Sequence, residues 1–215
     1  MTANTPTHSE LSEIYAQNSC GYSLADWSEL HRRTGYTLGN VPPCDFETAL
    51  LGQCAPEIAA FAAELSDGGK PLGLLVTGLT GRGKTYAACA VMRAVSDAMS
   101  VGLATDAEMV RDAKAAIGGR VTEAAVVERY CAPSLLVIDD LGKAAYTRWA
   151  SQLVFEVIDR RIRRKRPTII TTQYDARGIV ARLTVDGDSA TGESVVSRLT
   201  AFRKVNLKGT DRRCA

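Results

Sequence analysis

From Leu72 onward, short runs of apolar and β-branched residues alternate with longer segments whose apolar positions recur every three or four residues. The runs at 74–77, 101–104, 135–138, 168–171 and 205–207 have the length of buried strands. The segments at 85–97 and 122–130 have the period of helices. Thr105-x-x-Glu108 is a capping box that opens another helix, which Gly118-Gly119 stops. Trp149, Leu153, Val157 and Ile158 place one apolar face on a long helix ending near Arg164. Strands alternating with helices imply an α/β fold, with a parallel sheet covered on both faces. The polar, glycine-containing stretch 186–193 is expected to be a mobile loop before a late helix that carries Ser197-Arg198-Leu199.

The N-terminal part is patterned differently. Thr7-x-x-Glu10 precedes Leu11, Ile14 and Tyr15, and Ser23-x-x-Asp26 precedes Trp27 and Leu30, so two short helices are expected. Gly39 and Pro42-Pro43 mark a strap, followed by a helix over 46–65 that Asp67-Gly68-Gly69 ends. The chain is therefore divided into an extension, 1–40, and a main domain, 41–215.

Composition limits the function classes. The 215 residues are 46% hydrophobic and 23% charged, as in ordinary folded proteins, and no run approaches ~20 apolar residues. The first ten residues carry no Lys or Arg and do not read as a secretory signal. A cytoplasmic protein with reduced thiols is expected, with Cys89 and Cys131 as small core residues. Cys20, His31, Cys44 and Cys54 fit no zinc-finger spacing. The net charge of +2 hides an asymmetry: residues 1–69 hold nine Asp/Glu against Arg32 and Arg33. The basic remainder suits a polyanionic partner.

The candidate chemistry begins with Gly78-Leu79-Thr80-Gly81-Arg82-Gly83-Lys84-Thr85, a complete G-x-x-x-x-G-K-T between an expected strand and an expected helix. The glycines let backbone N–H groups face a phosphate chain at a helix N-terminus. Lys84 neutralises the β- and γ-phosphates, and the Thr85 hydroxyl ligates Mg²⁺. The strand at 135–138 ends in Asp139-Asp140. Asp139 would hold the metal, and Asp140 would orient or activate the attacking water. Gln173, beyond the next strand, is a candidate for positioning that water. Arg198 and Arg203 are both candidates for an arginine that reaches a neighbouring subunit's γ-phosphate. Arg160-Arg161-Ile162-Arg163-Arg164-Lys165-Arg166 reads as a solvated helix end, a DNA phosphate contact or a charged subunit interface. Arg111, Lys114 and Arg120 form a second basic group and are the first candidates for DNA contact.

With these motifs in their order, the chain resembles the AAA+ ATPase domain of DnaC-type replicative helicase loaders and of the transposition helper IstB. The resemblance rests on the glycine loop with Tyr86-Ala87-Ala88-Cys89-Ala90, on 135–142, on Trp149-Ala150-Ser151-Gln152-Leu153-Val154-Phe155 and on 167–172. It continues through 197–199 and Val205-x-Leu207-Lys208-Gly209-x-Asp211. It implies a five-stranded parallel sheet of order 5-1-4-3-2 and no C-terminal lid; the short helical N-terminal extension, 1–40, does not clearly match and reads as partner-docking helices or as a strap on the ATPase body. The resemblance also implies ATP and Mg²⁺ as cofactors, self-assembly through ATP at subunit interfaces, and a replicative DNA helicase and single-stranded DNA as partners. Lys84 and Thr85 fall on Walker A, Asp139 and Asp140 on Walker B, and Arg198 on the arginine finger. Gln173 stands where the family usually has a sensor Asn, which implies slow hydrolysis. The functions implied are helicase loading, the alternative of a transposition helper, and, from Gln173, a non-hydrolysing ATP-dependent scaffold.

Overall fold

The computed structural model describes residues 49–117 and 122–209. The expected helices near Leu11 and Trp27, and Arg120, lie outside the described residues. After a 3-10 turn at Leu51–Gln53 come α1 (Pro56–Ser66), β1 (Gly73–Thr77), α2 (Lys84–Val95), β2 (Val101–Thr105) and α3 (Asp106–Ala116). Then follow α4 (Glu123–Cys131), β3 (Leu135–Asp139), α5 (Arg148–Arg163), β4 (Thr168–Thr172), α6 (Ala176–Leu183), α7 (Ala190–Leu199) and β5 (Arg203–Asn206).

The strands form one parallel sheet in the order β2-β3-β4-β1-β5, the order the resemblance implies. Because side chains alternate across a strand, each strand supplies both faces. Leu74, Val76, Leu135, Val137 and Ile169 pack with α1 and α2. Leu75, Leu136, Ile138 and Ile170 pack with the helices of the opposite face. Cys89 and Cys131 are buried core residues, as expected. No described helix is long and apolar enough to cross a membrane.

The local signals explain most boundaries. Thr105 and Glu108 make the full capping box of α3, and the Thr147 hydroxyl caps α5 through the Ala150 N–H. Three expectations are corrected. The helix read over 46–65 starts only at Pro56, because proline is accepted in a first helical turn and not in an interior. The stretch 186–193 is only partly a loop, since α7 begins at Ala190. Helix α6 was not anticipated: it is short, contains Gly178, and is capped by Asp175 through the Gly178 N–H at 2.7 Å.

Most of the basic run closing α5 is paired within the chain, and one member is buried. Arg161, read as part of a solvated or DNA-facing patch, is fully buried. Its guanidinium donates to the carbonyls of Tyr130, Cys131, Pro133, Ser134 and Pro167 and to the Thr168 hydroxyl. It thus satisfies the free carbonyls at the end of α4 and the backbone entering β3 and β4. Burial pushes its pKa down to about 9. Arg160 pairs with Glu156, Arg163 with Asp159 and Arg164 with Glu128, while Arg166 donates to the Ala132 carbonyl.

Candidate functional site

The site lies at the C-terminal edge of β1, β3 and β4, where side chains leave the sheet together. The chain turns out of β1 at Gly78 and enters α2 at Lys84, with Gly78, Gly81 and Gly83 all at positive φ. That conformation strains residues with a Cβ. At Gly78 a Cβ would also stand 2.7 Å from the Leu207 carbonyl oxygen, so the chain leaving β5 fixes this glycine. The loop thus presents backbone N–H groups at the N-terminus of a twelve-residue helix. Lys84 is buried, and its Nζ donates to the Leu79 carbonyl at 3.0 Å, reaching back across the loop.

Parallel pairing of β3 with β4 places Asp139 one residue past the Ile138–Ile170 pair, beside Thr171. The Thr171 hydroxyl donates to Asp139 Oδ1 at 2.5 Å, and the Thr85 hydroxyl lies 3.0 Å from Oδ2. Burial raises the Asp139 pKa, and the two hydroxyls act against that shift. An oxygen-only pair of hydroxyl and carboxylate fits Mg²⁺, which prefers hard oxygen ligands and retains phosphate and water for the rest of its shell. The buried Lys84 and the glycine cradle fit a polyphosphate.

Asp140 lies in the left-handed region at φ 58, and its carboxylate pairs with Lys143 Nζ at 2.6 Å. Gln173, one residue past β4, accepts at Oε1 from the Thr80 hydroxyl at 3.1 Å. It therefore meets the glycine loop. A cavity of about 730 Å³ opens beside the loop, between it and α6, α7 and β5. Arg82, Gln173, Lys204 and Lys208 bring polar groups to this cavity, and one terminal nitrogen of Arg82 is buried without a hydrogen-bond partner.

The structure therefore brings together Gly78, Thr80, Gly81, Arg82, Gly83, Lys84, Thr85, Asp139, Asp140 and Gln173. It does not bring Arg198 to them. Arg198 Nε donates to Asp159 at 2.9 Å and its guanidinium lies over the Phe155 ring. Arg203, the other arginine candidate, pairs with Glu64. Arg111 and Lys114 are exposed on α3. Thr171 was missed by sequence reading. Its signal was a β-branched strand end, and only strand register shows that it bonds Asp139.

A family model described as "IstB-like ATP binding protein" matches residues 70–214. The replicative helicase loader DnaC of Buchnera aphidicola subsp. Baizongia pistaciae (strain Bp) is 27% identical over 128 residues, 58% of this chain and 49% of that protein. The DnaC loader of Buchnera aphidicola subsp. Acyrthosiphon pisum (strain APS) is 26% identical over the same shares. The chain thus spans about half the length of these curated relatives. Among solved structures, DnaI aligns with a TM-score of 0.63 at 19% identity, covering 80% of this chain and 94% of that one. The DnaC helicase loader aligns at 0.60 and 23%, covering 76% and 98%. AMPPCP-bound DnaA from Aquifex aeolicus aligns at 0.60 and 17%, covering 78% and 51%. The fold is that of the AAA+ P-loop domains.

Proposed function

The chain belongs to the IstB-like ATP-binding family, and from that premise we propose that it is an ATP-switched loader that assembles on a replicative DNA helicase and delivers it to single-stranded DNA. The observation that carries this reading is the Thr85–Asp139 contact behind the glycine loop, in a chain whose matched relatives are named replicative helicase loaders. Bound Mg-ATP supplies the electrophilic γ-phosphorus and charge neutralisation on its oxygens. The glycine-loop amides and Lys84 hold the phosphates, and Thr85 and Asp139 hold the metal. Asp140 orients the attacking water and takes its proton, after its carboxylate leaves Lys143. Arg198 acts in trans, on the nucleotide of a neighbouring subunit, so turnover depends on assembly. The acidic extension, 1–40, is the part proposed to dock the helicase.

The test uses the full chain with Mg-ATP, single-stranded DNA and the replicative helicase of the source cell. Lys84→Ala is expected to abolish nucleotide binding, because a charge-assisted contact in a partly dry site is lost. ATP-dependent co-elution with the helicase is expected to disappear with it. Normal turnover by this variant, or a protein that ignores the helicase in every nucleotide state, overturns the reading. The Thr80 hydroxyl engages Oε1 of Gln173, the side chain that would position water. It favours, as a second reading, an ATP-dependent scaffold with little hydrolysis. Binding without turnover in the presence of DNA and helicase would select it.

A further inference from the structure

The backbone that follows β3 and carries Asp140 is held from two sides by charged groups that lie outside the glycine loop. On one side stands Asp106, the first residue of α3, fully buried. Its Oδ2 accepts from the Gly142 N–H at 2.8 Å, the Ala144 N–H at 3.3 Å and the Tyr146 hydroxyl at 2.5 Å. Its Oδ1 is buried with no partner. Burial and the Asp106 charge push the Tyr146 hydroxyl far above its ordinary range, so it remains a donor.

On the other side stands Arg182 of α6. Its Nε donates to the Gly142 carbonyl at 2.7 Å, and a terminal nitrogen approaches the Ala144 carbonyl at 3.5 Å. The guanidinium lies over the Tyr174 ring. That ring packs where a side chain at Gly142 would be, 2.6 Å from a Cβ position on a backbone of φ +102, so only glycine fits. Thr171 and Thr172 of β4 complete the hold. The Leu141 N–H donates to the Thr171 carbonyl, the Thr172 hydroxyl donates to the Leu141 carbonyl, and the Asp140 N–H donates to the Thr171 hydroxyl.

A buried carboxylate with an unpaired oxygen is costly. Packing alone does not need it, since backbone amides can be satisfied by neutral carbonyls. What Asp106 and Arg182 do together is fix the N–H and C=O sides of the same two residues, 142 and 144. Those residues directly follow the left-handed turn at Asp140. We propose that Asp106 and Arg182 are positioning residues, a two-sided clamp on the Gly142–Ala144 backbone that sets where the Asp140 carboxylate stands over the nucleotide. This rests on the reading of the chain as an ATPase. The clamp also ties α3, the helix of Arg111 and Lys114, to β4 and α6, which flank Gln173, through the loop of Asp140.

The test compares Asp106→Ala, Asp106→Asn, Arg182→Gln and wild type as full chains, each shown to be folded at the assay temperature by circular dichroism. Affinity for a fluorescent ATP analogue with Mg²⁺ is expected to be unchanged in all. Turnover in the assembled state is expected to fall about ten- to a hundredfold in Asp106→Ala and Arg182→Gln, the scale of a small misplacement of a reacting group. Asp106→Asn keeps an acceptor and is expected to recover part of the loss. In an Asp140→Asn background, Asp106→Ala is expected to add no further loss. Amide hydrogen exchange at Gly142 and Ala144 is expected to quicken in Asp106→Ala, with β3 and β4 unchanged. Wild-type turnover in both clamp variants, or losses that add in full to Asp140→Asn, overturns the clamp. If the wild type itself binds ATP without turnover, the ATPase reading fails instead. Unchanged exchange at the two amides then rejects the clamp on its own.

Discussion

Replacing Arg161 by Ala separates a structural role from a DNA-binding one. The side chain is fully buried and bonds five carbonyls and one hydroxyl. None of these partners is a carboxylate, so the charge is met by backbone dipoles and one hydroxyl, and burial lowers its pKa to about 9. Truncation removes the donors and leaves the Pro133 carbonyl, bonded at 2.9 Å, without them, while the Pro167 carbonyl, bonded at 2.6 Å, keeps the Leu136 N–H. Each buried group left unpaired costs about 1–3 kcal/mol, less where water enters the space or a second lone pair is already used. A loss of about 3–5 kcal/mol is expected, a large share of the roughly 5–15 kcal/mol of a typical domain. Because the folded pKa is depressed, the burial penalty on the charged form is fully present at neutral pH and relaxes only as pH rises past about 9. The difference between variant and wild type should therefore stay flat across neutral pH. Urea unfolding checks this through a lower midpoint at unchanged slope. Single-strand affinity and its salt slope, measured on the folded fraction, should stay as in wild type. A variant that unfolds at the wild-type midpoint yet binds DNA more weakly would refute the buried-cap reasoning.

Asp139→Asn should lose Mg-ATP affinity yet melt higher than wild type at neutral pH without Mg²⁺. Burial raises the Asp139 pKa, so its contribution to stability is present when protonated and lost as pH rises through the folded value. The gap should close as pH falls toward the ordinary value of 3.8, and equal melting at neutral pH would contradict it. Arg198→Ala should bind ATP normally and hydrolyse it poorly, since an arginine in trans contributes about 10³–10⁵ in rate in related systems. Mixing it with Lys84→Ala should restore activity, and a dead mixture in proven hetero-oligomers removes Arg198 from the mechanism. Neutralising Arg111 and Lys114 together should weaken single-strand binding and reduce its salt slope by about 1.4. An unchanged slope would show that the DNA lies elsewhere.

The strand-helix alternation, the glycine loop and the carboxylates closing β3 could be read along the chain because each is written in neighbouring residues. A short apolar run has one use in a two-faced sheet, and Gly78 to Thr85 contains both its turn and its helix start. Asp139 followed directly because strand ends collect at one edge. Other features depend on residues far apart in sequence, and there local pattern carries no information. Thr171 meets Asp139 across 32 positions, and Asp106 meets Gly142 across 36, each through strand register. Arg161 and Arg164 look alike in a basic run, yet one is buried under carbonyls and the other pairs with Glu128 on the surface. Helix phase and the neighbours across the interface decided that difference. Helix α6 escaped notice because its stability comes from burying Ile179 and Leu183 rather than from propensity. Whether a charge faces water, a carboxylate or a ring of carbonyls is settled by what folds against it, and only tertiary packing supplies that.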